Sequence, residues 1–126
     1  MVEFQGFPYE HRVAKVMLIG TESATLVAAV PPQMSLEITE VVVTGYGGGT
    51  ATGRLMQFAT IQGYSGAGTT SGTVVEPFQV TADQPFIDGN GGAPIAYVSP
   101  GNLLYGQVDY GSVLAKIVYR PIYRRG

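Results

Sequence analysis

Short apolar runs, broken every few residues by glycine, proline or asparagine, constrain the fold of this chain more than any other feature of its sequence. Runs of this length between turn-forming residues are typical of strands, and a regular succession of them is typical of all-β domains. No stretch carries a convincing apolar stripe at helical spacing. The sequence therefore predicts an all-β fold of about eight strands, arranged as two packed sheets or a closed barrel.

The predicted strands are separated by breaks rich in turn-forming residues. They are Arg12 to Ile19, Thr25 to Val30, Ser35 to Thr44, Arg54 to Gln62, Thr73 to Thr81, Ile95 to Val98, Leu103 to Tyr110 and Ser112 to Tyr123. The alanine-rich stretch 22–30 could instead form two helical turns, which Pro31 would end. In the third strand the alternation slips at Glu40, which predicts a β-bulge or a strand buried on both faces.

The last predicted strand has the clearest two-residue alternation in the chain. One face is predicted to carry Val113, Ala115, Ile117 and Tyr119, and the other to carry Leu114, Lys116, Val118 and Arg120. The first set is apolar throughout, and the second is mixed and half exposed to water.

The charge content is low for a soluble domain. Only 13% of the 126 residues are charged, against about 25% in a typical domain. Interface cores are depleted in charge and enriched in tyrosine, phenylalanine and methionine, of which this chain has 8, 5 and 4. This composition favours a single domain, residues 1–126, whose surface is partly covered by other subunits; a neutral surface of serine, threonine, glutamine and glycine is the alternative. Residues 1–10 and 119–126 are possible arms.

Net charge and cysteine content exclude several classes of function. A net charge of −2 gives no basic excess for binding nucleic acid or an anionic membrane. With no cysteine, neither a disulfide scaffold nor a thiolate metal site can form. The first five residues do not have the pattern of a signal peptide, so we expect synthesis and folding in the cytoplasm.

Four patterns in the sequence could carry chemistry, and each of them favours a structural role over catalysis or ligand binding. The segment 48–55 approaches a phosphate-binding loop, but Arg54 and Leu55 replace its lysine and its serine or threonine. Asp88 opens a segment like a calcium loop that lacks the later carboxylates. His11 is the single histidine, which excludes a three-histidine zinc site. The nine carboxylates are scattered, so we expect no enzyme, no cofactor and no metal.

The carboxyl end carries the one real charge cluster of the chain. Arginine beside tyrosine is the usual composition of a binding hot spot, because arginine pairs with carboxylates and stacks on rings. The candidate interface residues are Tyr119, Arg120, Tyr123, Arg124 and Arg125. A solvated tail, whose tyrosines belong to the core and its rim, is the alternative.

The stretches 8–19, 97–108 and 113–122, with the glycine-rich loops between short strands, resemble small structural proteins of tailed bacteriophages. The similarity is to head decoration, or cement, proteins, and it lies in texture over most of the chain, without a diagnostic motif. It implies an antiparallel β-sandwich that is jelly-roll-like. It also implies a homotrimer on the outer surface of the capsid, bound to the major capsid protein or other virion subunits, and no catalysis.

Two other functions remain open at this point. A receptor- or glycan-binding β-sandwich, such as a phage fibre tip or small lectin, could use Tyr46, Tyr64 and the glycine-rich loops to stack on sugars. A small-molecule-binding barrel, or an enzyme of that shape, is the third hypothesis. An oligomer in solution would separate the first two from the third.

Overall fold

The computed structural model describes residues 12–21, 24–46, 49–58, 73–81 and 83–123. Within these ranges the chain forms nine strands. They are β1 (Val13–Ile19), β2 (Thr25–Ala29), β3 (Met34–Gly45), β4 (Ala51–Phe58), β5 (Thr73–Val80), β6 (Phe86–Gly89), β7 (Ala96–Val98), β8 (Leu103–Tyr110) and β9 (Val113–Tyr123). The described residues include no helix long and apolar enough to cross a membrane.

The strands form two antiparallel sheets. The first sheet has the order β1-β9-β3-β6, with β7 also paired to β3, and the second has the order β2-β8-β4-β5. If β6 and β7 count as one interrupted strand, the first strand pairs with the last, the second with the second last, and so on inward to β4 and β5. Successive pairs alternate between the sheets, which is the strand order of a jelly roll. The predicted antiparallel sandwich is confirmed.

The core lies between the two sheets and is filled by the inward side chains of both. Because side chains alternate along a strand, each sheet contributes every second residue. The inward residues that are completely buried include Ile38, Val41, Leu55, Leu104 and Ile117. The segment that could have been helical is strand β2, and its residue Val27 is part of this core.

A β-bulge lies where the alternation slips in the third strand. The pairing of β3 with β9 shifts register between Ile38 and Glu40, and the extra residue, Thr39, is completely buried. The Thr39 hydroxyl donates a hydrogen bond to the carbonyl oxygen of Val118 over 3.3 Å. The bulge also requires glycine at position 89, since a Cβ on Gly89 would lie 2.3 Å from the Thr39 carbonyl oxygen. Of the two alternatives that the sequence left open, the bulge is therefore the one formed.

The structure corrects two boundaries. β6 lies inside 83–94, which the sequence predicts as a break, because its four residues are held by pairing with β3 and not by their own pattern. β4 begins at Ala51, three residues before the predicted start at Arg54, because β4 pairs with both β5 and β8 there. The predicted end of this strand, 59–62, lies outside the described residues.

Side chains close both open sides of the sandwich, where the edge strands of the two sheets face each other. On one side, Lys15 of β1 donates from Nζ to the carbonyl oxygen of Val27 in β2 over 2.8 Å. On the other, the rings of Phe78 in β5 and Phe86 in β6 lie 6.3 Å apart. These contacts join the sheets at their edges as well as through the core.

Candidate interaction surface

The outer face of the first sheet carries apolar side chains in two neighbouring rows, four of them exposed and one, Val42, half-buried. In one row, Leu18 of β1 lies opposite Leu114 of β9. In the next, Val16 lies opposite Lys116, which lies opposite Val42 of β3, and Val42 pairs in turn with Ile87 of β6. We call the five residues Val16, Leu18, Val42, Ile87 and Leu114 the apolar face.

The apolar face points away from the core because its residues alternate with buried ones. Ile19 and Val113 are completely buried, so their chain neighbours Leu18 and Leu114 point outward. Val16, Ile87 and Leu18 are 64%, 63% and 51% exposed. Single exposed apolar residues are normal on a protein surface, but exposed apolar side chains that cluster on one face of a sheet are typical of an interaction site.

The charged groups on this outer face are paired within the chain. The Arg120 guanidinium donates from Nε and Nη2 to Oε1 of Glu37, over 3.0 and 2.5 Å, and both side chains are 15% exposed. Lys116 Nζ lies 3.9 Å from Oε2 of Glu40. The face therefore presents apolar groups, one close and half-buried ion pair between Arg120 and Glu37, and a looser, more exposed contact between Lys116 and Glu40.

The structure describes three of the five candidate residues from the carboxyl end and places them in different environments. Tyr119 faces inward, is 7% exposed and belongs to the core. Arg120 is held by Glu37 on the outer face. Tyr123, at the end of β9, is 66% exposed. Arg124 and Arg125 lie outside the described residues.

None of the five residues of the apolar face is among the candidate interface residues that the sequence predicts, although β1 carries one signal for this face. β1 reads Val-Ala-Lys-Val-Met-Leu-Ile, with apolar residues at both alternating positions. A strand at the edge of a sandwich, with one side toward water, normally alternates apolar and polar residues. Apolar residues on the outward phase, as at Val16 and Leu18, therefore indicate that the outer side of this strand is also covered.

The outer face of the second sheet has a different character. Arg54 of β4 forms an ion pair with Asp109 of β8 and donates from Nη1 to Oε1 of Gln107 over 3.3 Å. These three residues, with Met56 and Val74, line a shallow groove of about 280 Å³. A second open groove, of about 400 Å³, is lined by Arg54, Phe78 and Phe86 among others, so it reaches the side of the sandwich between β5 and β6. This face is polar around Arg54, and elsewhere it carries the exposed side chains Leu26 and Val74 and a buried apolar cluster of Ala24, Phe58, Leu103 and Tyr105.

The other motifs of the sequence have structural positions. Arg54 and Leu55 are part of β4, so the phosphate-loop pattern continues into a strand, as the sequence predicts. Asp88 lies in β6 and hydrogen-bonds to Glu76 of β5. The described residues contain no group of three or more histidine, cysteine or acidic side chains that could hold a metal ion. His11 and Tyr64 lie outside the described residues, and Tyr46 is exposed.

Glu76 and Asp88 are the one place where the described structure brings two scattered carboxyls into contact. Burial, the hydrogen bond to Asp88 and the charge of Asp88, in that order of size, together raise the pKa of the Glu76 carboxyl from 4.5 to about 7. Glycosidases hold their two carboxyls at least about 5 Å apart, with a sugar bond between them. Carboxyls in direct hydrogen-bond contact do not have that spacing, so this pair does not form a glycosidase site.

Comparisons with known proteins place the chain in no family. No protein-family model, curated protein or solved structure matches it. The role of the apolar face therefore has to be argued from its own side chains and charges.

Proposed function

We propose that this protein is a virion structural protein: a decoration, or cement, subunit that binds the outer surface of a tailed-phage head and stabilises the shell. The observation that carries the proposal is the apolar face, where Val16, Leu18 and Ile87 are more than half exposed on one sheet. In this proposal the partner is the major capsid protein or another virion subunit, and the protein acts as a homo-oligomer, a trimer, without cofactor or catalysis.

The size of the face fits the core of a protein–protein contact. Four strands about 4.8 Å apart give the face a width of roughly 15 Å, and its two rows of side chains lie two residues, or roughly 7 Å, apart along the strands. Burying about 300 Å² of apolar surface at about 25 cal/mol/Å² contributes roughly 7 kcal/mol before the costs of association. One such contact is weak alone, and a shell that offers many copies of the site becomes stabilised as the sites fill.

The charges of the face favour a protein partner over a nucleic acid or an anionic membrane. Burying an unpaired charge costs several kcal/mol, whereas Glu37 and Arg120 are already paired before any partner arrives. A nucleic acid or an anionic membrane would instead require a surplus of positive charge. The low charge content of the whole chain, 13%, points in the same direction.

Co-sedimentation with shells assembled from the coat protein of the same genome tests the proposal. Val16→Lys combined with Leu114→Lys places two charges on the apolar face at exposed positions. We expect the wild type to sediment with shells and this variant to bind at least about 100-fold more weakly, since each buried lysine is left unpaired.

The matched control is Leu26→Lys combined with Val74→Lys. Both positions lie on the second sheet, at 50% and 49% exposure, so the two variants carry the same added charge on opposite faces. We expect the control to bind like the wild type, with circular dichroism showing that both variants are folded. The proposal would be contradicted if the two variants bound shells equally well, or if the wild type did not sediment with shells.

A glycan- or receptor-binding module is the second candidate, and one observation favours it. The groove beside Arg54 combines an ion pair, the Gln107 amide and the apolar side chains Met56 and Val74, which are the kinds of groups that bind sugar hydroxyls and C–H faces. Binding on a glycan array that is lost in Asp109→Asn, with no affinity for shells, would support this candidate over the first.

A further inference from the structure

The side of the sandwich between β5 and β6 is closed by two pairs of side chains. Both strands are edges of their sheets among the described strands, where β5 pairs with β4 and β6 pairs with β3. Phe78 and Phe86 form one pair across the gap, and Glu76, two residues before Phe78, and Asp88, two residues after Phe86, form the other. An apolar contact and a pair of acids therefore join the same two strands.

Glu76 faces inward, in an environment that disfavours its charged form. It is 9% exposed and alternates on β5 with the buried residues Phe78 and Val80. Asp88 pairs across the sheet with core-facing Val41, so it too is directed between the sheets. The two acids meet between the sheets, where Glu76 is buried and Asp88 is half-buried.

No positive charge on the strands packed against Glu76 compensates for it. β3, β4, β6 and β7 adjoin β5. The inward residues of β3 and β7 are apolar apart from Thr39, and the residue opposite Glu76 on β4 is Leu55. The ionisable side chains Glu37, Glu40 and Tyr97 lie on the outer face of the first sheet, and Arg54 lies on that of the second. Among the described residues, Asp88 of β6 is therefore the charged group that Glu76 meets.

We propose that Glu76 and Asp88 form a proton-operated latch between β5 and β6, closed while the two carboxyls share a proton and weakened when both are ionised. With the proton present, the Glu76 carboxyl donates a hydrogen bond to the Asp88 carboxylate, and the pair carries one negative charge. Without it, two carboxylates face each other with little water to screen them. The latch weakens as the pH rises through about 7, because that is the pKa of Glu76 in the folded chain.

When the latch weakens, the edge strands β5 and β6 separate more easily from the rest of the sandwich. An edge strand is held by one hydrogen-bonded neighbour, and local opening begins where few contacts have to break. β6 has four residues and a short pairing with β3. An opened edge strand exposes unpaired backbone groups that another chain can use. Alkaline solution therefore makes this side of the sandwich available for strand pairing, whatever the partner of the apolar face is.

Hydrogen exchange tests the latch. Protection factors of backbone amides in the full chain, corrected for the intrinsic dependence of exchange on pH, are measured at pH 6.0 and pH 8.5 with a chelator present. We expect the protection of β5 and β6 to fall about tenfold at the higher pH. The reason is that pH 6.0 lies about one unit below the pKa of Glu76, and one unit corresponds to a tenfold change in the stabilisation that the bound proton gives. The protection of β1 and β2, which Lys15 joins, should not change.

Three variants separate the latch from a general effect of pH. Glu76→Gln cannot ionise and should keep β5 and β6 equally protected at both pH values. If that variant does not fold, Asp88→Asn serves instead, because it removes the opposing charge and should reduce the change in protection. Glu40→Gln, on the outer face, should behave like the wild type. Equal loss of protection in the wild type and in the folded latch variant would overturn the proposal, as would no loss in the wild type.

Discussion

Replacing Arg120 by methionine tests whether this arginine holds the fold together or is available to a partner. Its guanidinium makes two hydrogen bonds to Glu37, and both side chains are 15% exposed. Arg120→Met keeps most of the stem and leaves the Glu37 carboxylate mostly buried without its counter-charge. Breaking a fully buried pair in this way costs 3–5 kcal/mol, and the residual exposure here lowers our expectation to about 2–3 kcal/mol.

That loss is large enough to measure by thermal unfolding. A chain of 126 residues has an unfolding entropy of about 0.26 kcal/mol/K, so 2–3 kcal/mol lowers the Tm by roughly 8–11 °C. Differential scanning calorimetry at pH 6 would measure the shift. Lys116→Met is the matched control on the same strand and face. Its ion pair is weak, because Lys116 is half exposed and its Nζ lies as far as 3.9 Å from Oε2 of Glu40. We expect it to change stability by less than about 0.5 kcal/mol.

The double variant Glu37→Met with Arg120→Met completes the test. Replacing both partners of a buried pair by apolar groups is often nearly neutral, so we expect most of the lost stability to return. A Tm of Arg120→Met within about 2 °C of the wild type would refute the structural role. It would also leave Arg120 available for the interface role that the sequence suggests.

Two further predictions concern the second sheet and the carboxyl pair. Gly53→Ala should cost more than about 2 kcal/mol in urea unfolding, because a Cβ there would lie 2.3 Å from the Gln107 carbonyl oxygen; Gly49→Ala, with nothing within 4 Å, is its control. The raised pKa of Glu76 means that the folded chain holds more protons than the unfolded chain between pH 4.5 and about 7. The free energy of unfolding should therefore fall across that window, by at most about 3 kcal/mol, and Glu76→Gln should abolish the fall; a flat wild-type profile would contradict this.

The sequence predicts the fold well because the alternation of side chains is strong. Eight of the nine strands lie at or near predicted positions, and the phase slip at Glu40 marks the bulge at Thr39. β6 was missed because Phe86 and Ile87 are only two apolar residues among turn signals, and their strand exists through pairing with β3. A pairing between distant segments leaves no local signal to read.

The candidate site was less predictable, for a related reason. An apolar residue in a strand gives the same signal whether it points into the core or out to a partner, and only the register between strands separates the two. Leu18, Leu114 and Ile87 become one surface only when β1, β9 and β6 occupy one sheet. Tyr119 shows the opposite case. The sequence makes it a candidate interface residue, and in the structure its side chain points inward and belongs to the core.

Cysteine labelling of the assembled particle tests most directly whether the apolar face is the surface that a partner covers. The chain contains no cysteine, so Leu114→Cys introduces a single thiol on this face, and Leu26→Cys introduces one on the second sheet. The rates of reaction with a maleimide are compared between the free protein and the shell-bound protein. We predict that binding slows the reaction of Leu114→Cys at least about tenfold, as expected for a thiol excluded from water, and leaves that of Leu26→Cys unchanged. Equal rates for Leu114→Cys in both states, with Leu26→Cys protected, would contradict the account.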